Sequence, residues 1–147
     1  MSYVESSIII KGDKFEIYKL AKNMEEFPNF MPDVQSVKVT ERIGDNTITE
    51  WSSELEGAPI SWKELDEFNE KKPEIKYKLL EGDLDKFEGE WRFEEVAEGV
   101  KVTLTVDFDF GMPSLEKIVG PILKIKVENN CQMMLQAIKK RLEEGEE

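Results

Sequence analysis

Histidine is absent from this chain, and cysteine occurs once, at Cys131. Without histidine there is no Ser-His-Asp triad and no Cys-His pair. The usual zinc ligand sets are out of reach as well. A lone cysteine excludes an internal disulfide and fits a reducing cytoplasm, where the protein is expected. No apolar run approaches the roughly 20 residues that a membrane-spanning helix needs, so stable membrane insertion is not expected. The opening "MSYVESSIII" carries an acid and no basic region, unlike a secretory signal. No glycine-rich phosphate loop follows a strand, and no cofactor is expected. Positive charge is scarce: 20 Lys and Arg stand against 32 Asp and Glu, a net charge of −12. Such a chain repels phosphate backbones and anionic lipid surfaces, which argues against nucleic acid as a partner. The charged set is 17 Lys to 3 Arg and 24 Glu to 8 Asp, the lean found in thermophile proteins.

What is present fits one domain, residues 1–147, long enough to bury a core. Residues 3–10 read as a strand. Asp13 and Glu16 form a helix start signal, and Phe15, Ile17, Tyr18, Leu20, Ala21 and Met24 give that helix an apolar face. "EEFPNFMPDVQSV", residues 25–37, follows. Pro28 and Pro32 forbid a long helix there and predict a short helical turn between them. Phe27, Phe30 and Met31 are nevertheless too apolar for a solvated loop.

From Val37 the period becomes two. "GDN" at 44–46 signals a hairpin. Strands are expected at 47–55, 60–68, 75–80 and 87–95. The clearest covers 100–110, with Val100, Val102, Leu104, Val106, Phe108 and Phe110 on a dry face. Lys101, Thr103, Thr105, Asp107 and Asp109 should line its wet face. Asp107 and Asp109 offer too few oxygens for a metal site. A long helix closes the chain, capped by Ser114 and interrupted by Pro121, which should kink it or mark the start of its regular part. Its apolar residues include Val127, Cys131, Met134, Leu135 and Ile138.

The order and several motifs resemble the helix-grip, START-like superfamily, in the branch of polyketide cyclases and coenzyme Q-binding proteins. The stretches that carry the resemblance are "EFPNFMPDVQSVKV", "ISWKELDEF", "LLEGDLDKFEGEWRFEE", "VKVTLTVDFDFG" and "VGPILKIKVENN". It implies an α+β fold: a curved antiparallel sheet wrapped around a long C-terminal helix, with a short helical pair after the first strand. It also implies a deep apolar cavity that holds a lipid, quinone, sterol or polyketide. Phe30 and Met31 would then gate the cavity mouth.

The expected lining is Phe30, Met31, Trp51, Trp62, Tyr77, Trp91, Phe93, Leu104, Val106, Phe108, Met112 and Met134. Aromatic rings offer a wide apolar surface with one polar handle, and methionines adapt to irregular ligands. On a period of two, Glu64 and Asp66 share the face of Trp62. Pointing inward, they would repel each other and lose solvation, and one could serve as a general acid or base. In a chain this rich in glutamate the ordinary reading puts them in water. Aromatising cyclases carry an arginine where this chain has Asp66, an opposite charge that cannot steady an enolate-like oxygen. Binding of a hydrophobic small molecule is therefore the expected function. A cyclase or dehydratase using Glu64 or Asp66 is the alternative, and a protein-interaction module is a third. Nothing in the sequence sets the oligomeric state.

Overall fold

The computed structural model describes residues 2–55, 58–109, 111 and 113–144, and the side chains of all these except 55, 58 and 113–119. The chain runs β1 (Ser2–Ile10), α1 (Lys14–Lys22), a 3-10 turn (Met24–Asn29), β2 (Val34–Ile43) and β3 (Asn46–Leu55). It continues through β4 (Ala58–Asn69), β5 (Glu74–Gly82), β6 (Lys86–Val96) and β7 (Gly99–Asp109), and ends in α2 (Pro113–Glu144). The strands form one antiparallel sheet of order β1-β7-β6-β5-β4-β3-β2. α2 lies across its inner face, the helix-grip arrangement that the sequence suggested. The expected residues Phe110 and Met112 fall outside the described residues, as does the side chain of Ser114.

Local chemistry explains the boundaries. The Asp13 carboxylate accepts the Glu16 N–H at 3.0 Å, capping α1. The 3-10 turn starts earlier than the prolines alone implied, because Pro28 is accommodated inside it. Gly44 turns the β2–β3 hairpin at φ +61°, a conformation that costs glycine little. α2 runs unbroken through Pro121. Its buried stripe is Val127, Cys131, Met134, Leu135 and Ile138, which shares one core with Val100, Val102 and Leu104 of β7. Each such aliphatic side chain contributes roughly 1.5–3 kcal/mol by leaving water.

The outer face of β7 is drier than its pattern implied: Thr103 and Thr105 are buried. β7 lies between β1 and β6, and longer neighbours cover the two short threonines. Arg92 sits opposite Thr103 and reaches Glu5 and Glu90, while the Glu90 N–H donates to Thr105 Oγ1 at 3.0 Å.

Candidate functional site

Where the curved sheet parts from α2, a partly open space of about 70 Å³ remains. The sheet supplies Val34, Trp51, Ser53, Ile60, Trp62, Glu64, Tyr77, Phe87, Trp91, Leu104, Val106 and Phe108. Leu84 closes one side from the β5–β6 turn, and α2 adds Val127, Asn130, Cys131 and Met134. The strand residues alternate in sequence because one face of each strand looks inward.

Aromatic rings fill most of this space. Trp51 and Trp62 pair directly across β3 and β4, with ring centroids 5.3 Å apart and planes 11° from parallel. Phe87 leans on Trp62 at 4.9 Å and on Tyr77 at 5.6 Å. Phe27, from the 3-10 turn, backs Trp51 at 5.9 Å and Trp91 at 6.2 Å.

Beneath the rings lies a buried polar network. Glu64 is 3% exposed and Asp66 is 0% exposed, which overturns the expectation that these acids sit in water. The inner face of β4 is turned toward the core, where Trp62 packs with Trp51 and Phe87 and α2 adds Cys131 and Met134 to the same wall. Trp62 Nε1 donates to Glu64 Oε1 at 2.7 Å. Trp51 Nε1 donates to Thr49 Oγ1 at 2.8 Å, and Thr49 Oγ1 donates to Asp66 Oδ2 at 2.5 Å. Asp66 Oδ1 is buried and receives no N–H or hydroxyl. A proton on Glu64 supplies the missing donor.

The electrostatics place that proton. Burial first, then the charge of Asp66 and the hydrogen bond between the acids, push the Glu64 carboxyl well above the usual carboxylate range. Burial also raises Asp66, but hydrogen bonds from Glu64, Thr49 and Thr47 draw it back. Both carboxyls are therefore held above the usual carboxylate range, Glu64 the more strongly. Nearby, the Tyr77 hydroxyl donates to the Thr105 carbonyl at 2.5 Å, and burial raises its pKa well above the ordinary value. Burial, helped by Glu128, pushes the Cys131 thiol up to about 12, so it packs as a small apolar residue.

Trp51, Trp62, Tyr77, Trp91, Leu104, Val106, Phe108 and Met134 stand together around the space, while Met112 lies outside the described residues. Phe30, Met31 and Phe93 do not line it. Met31 is 1% exposed and belongs to the packed core. Phe30 is half-buried beside Phe27, under the Arg141 guanidinium at 4.8 Å. Phe93 does face inward but meets Tyr18 of α1 at 5.7 Å, past the end of the space. The lining residues not foreseen include Val34, Ser53, Ile60, Leu84, Phe87, Val127, Asn130 and Cys131. Phe87 shares the parity of Trp91, and Val127 and Cys131 share the helical stripe of Met134, so those signals were present. Asn130 carried none.

Comparison with known proteins agrees with this geometry. A structure from Thermus thermophilus superposes with a TM-score of 0.91 at 24% identity, covering 97% of this chain and 98% of that one. The Zhui aromatase/cyclase from a Streptomyces species superposes with a TM-score of 0.87 at 17% identity, covering 97% and 93%. At such identities the likeness is one of fold. Major latex protein 146 from Papaver somniferum is 36% identical over 84 residues, 55% of this chain, and the match spans only 52% of that protein. The family model described as polyketide cyclase / dehydrase and lipid transport matches residues 15–134. That span takes in both walls of the space and the acid pair, and the chain belongs to the polyketide cyclase / dehydrase and lipid transport family.

Proposed function

We propose that this protein binds a hydrophobic small molecule, of the lipid, quinone or polyketide kind, between its sheet and α2, and carries or presents it. One observation carries the reading: a wall of aromatic and aliphatic side chains that has a few fixed polar groups at its base. Walls of that kind favour apolar ligands held in one orientation. Ligand sites for drug-sized molecules measure about 300–1,000 Å³, so the space of about 70 Å³ must widen to admit one. The Trp62 and Phe87 rings are the side chains to move, since together with Trp51 they occupy the middle of the site. Native mass spectrometry of freshly purified protein, with solvent extraction, tests the reading. A discrete added mass that extracts into organic solvent supports it. If the protein is empty, thermal shifts against quinones, sterols and fatty acids decide. Ligand at about 100 times its dissociation constant adds roughly 2.7 kcal/mol, and no shift from any class ends the carrier reading.

The buried acid pair favours a second reading, a cyclase or dehydratase in which Glu64 gives or takes a proton. A rate profile against pH that is unchanged in Glu64→Gln and in Asp66→Asn would exclude it.

A further inference from the structure

The donors that the sheet contributes to the cavity wall are already spent. The Trp51 and Trp62 indole N–H groups point into the acid network. The Tyr77 hydroxyl is committed to the Thr105 carbonyl, and the Ser53 hydroxyl donates to the Asp33 carbonyl at 2.8 Å. What these groups leave facing the space is acceptor capacity: the Glu64 carboxyl and the Tyr77 and Ser53 oxygens. Asn130 adds an amide that can act either way, and Cys131 only a weak thiol donor. Among the described residues, no lysine or arginine lines the space.

Around these acceptors stand the π-faces of Trp51, Trp62, Phe87 and Trp91. Below them lies the buried Glu64–Asp66 pair, in which Asp66 Oδ1 has no N–H or hydroxyl partner among the described residues. The groups nearest the pair are Thr47 and Thr49 from β3, Tyr77 from β5 and Cys131 from α2, and none is basic. Lys19, Lys22 and Arg42 border a separate groove that reaches the two threonines and do not line the cavity. Aromatic rings, mostly spent donors and a buried pair of acids are together complementary to a cation that brings its own N–H groups. An anionic headgroup would meet the same aspartate with no counter-ion.

We propose that the ligand of this cavity is a hydrophobic amine, bound as its ammonium, with the apolar body among the tryptophans and the N–H groups on the Glu64–Asp66 pair. This rests on the cavity being a binding site for apolar molecules. The test therefore holds the apolar body constant and varies only the polar end.

Calorimetry with 2-naphthylmethylamine, 2-naphthalenemethanol and 2-naphthoate provides that comparison. The amine should bind at least about tenfold more tightly than the alcohol, with the carboxylate weakest. Asp66→Asn, which removes the charge and keeps the shape, should erase the preference for amine over alcohol. A purely structural role for Asp66 would weaken amine and alcohol alike and leave their ratio unchanged, and that result would overturn the proposal. Alcohol or carboxylate binding the unsubstituted protein as well as the amine would also overturn it while sparing the cavity reading. Failure of all three to bind would sink both.

Discussion

Trp51 and Trp62 stack face to face across β3 and β4, and each indole N–H leads to a different member of one acid pair. Trp62 reaches Glu64 directly, whereas Trp51 reaches Asp66 through the Thr49 hydroxyl. The rings that fill the cavity are therefore fastened to the groups that carry its charge. Moving either tryptophan disturbs a buried hydrogen bond, and changing the protonation of the pair alters what holds the rings.

Trp62→Ala should open the cavity. Loss of its buried ring should cost about 3–5 kcal/mol in urea denaturation, since the surrounding strands cannot collapse fully onto the gap. The same variant should take up naphthalene-sized probes faster than the unsubstituted protein, as measured by stopped-flow fluorescence.

Glu64 makes stability depend on pH in a definite direction. Its folded pKa is raised, so between the unfolded value near 4.5 and the raised folded value the native state holds a proton that the unfolded chain has released. Stability should therefore fall as pH rises through that window, by up to about 1.4 kcal/mol per pH unit. Glu64→Gln removes the titrating group. Urea denaturation across the window should show a shallower slope for the variant, and equal slopes would contradict the assignment.

Gly89 leaves room for the Tyr77 hydroxyl. A Cβ there would lie 2.8 Å from that oxygen and would run into the Thr105 carbonyl. Gly89→Ala should destabilise by about 1–3 kcal/mol or more, because backbone on β7 has to give way. Tyr77→Phe should cost about 1–3 kcal/mol through the loss of the Thr105 partner. Thermal denaturation of the two variants and their double would show whether the costs are shared.

Cys131 should be unreactive in the native state. Its thiol is buried and pushed up to about 12, so little thiolate exists at neutral pH. A chromogenic disulfide reagent should label it only at the rate of global or local opening, and rapid stoichiometric labelling of folded protein would refute this.

Much of the fold is visible in the residue pattern, because a period of two marks strands and a helical stripe marks α2. The site is less so. Periodicity shows which residues share a face, and it put Glu64 and Asp66 with Trp62. It does not say which face is inward, and general abundance favoured water for the acids. What decides the matter is which face the distant segments cover: the 3-10 turn and α2 close over the side that carries Trp51, Trp62 and Glu64. The stretch from Met24 to Phe30 failed differently. A 3-10 turn repeats every three residues, so Met24 and Phe27 fall on one buried line, and Phe30, one step on, is left half-exposed at the end. For Phe93 the face was right, but where a curved sheet stops bordering a cavity and starts bordering α1 depends on contacts between distant segments. The burial of Thr103 and Thr105 likewise depends on the neighbours β1 and β6.

The pairing of β1 with β7 has a kinetic meaning. Ser2 lies opposite Phe108, so β1 waits during synthesis for β7, across a loop of about a hundred residues. The hairpins from β2 to β7 can zip from neighbour to neighbour, but β1 joins only when they are in place. Until then Ile8, Ile9 and Ile10 have no cross-strand partner, and the nascent chain depends on its own negative charge, or on a chaperone, to keep that segment from sticking elsewhere.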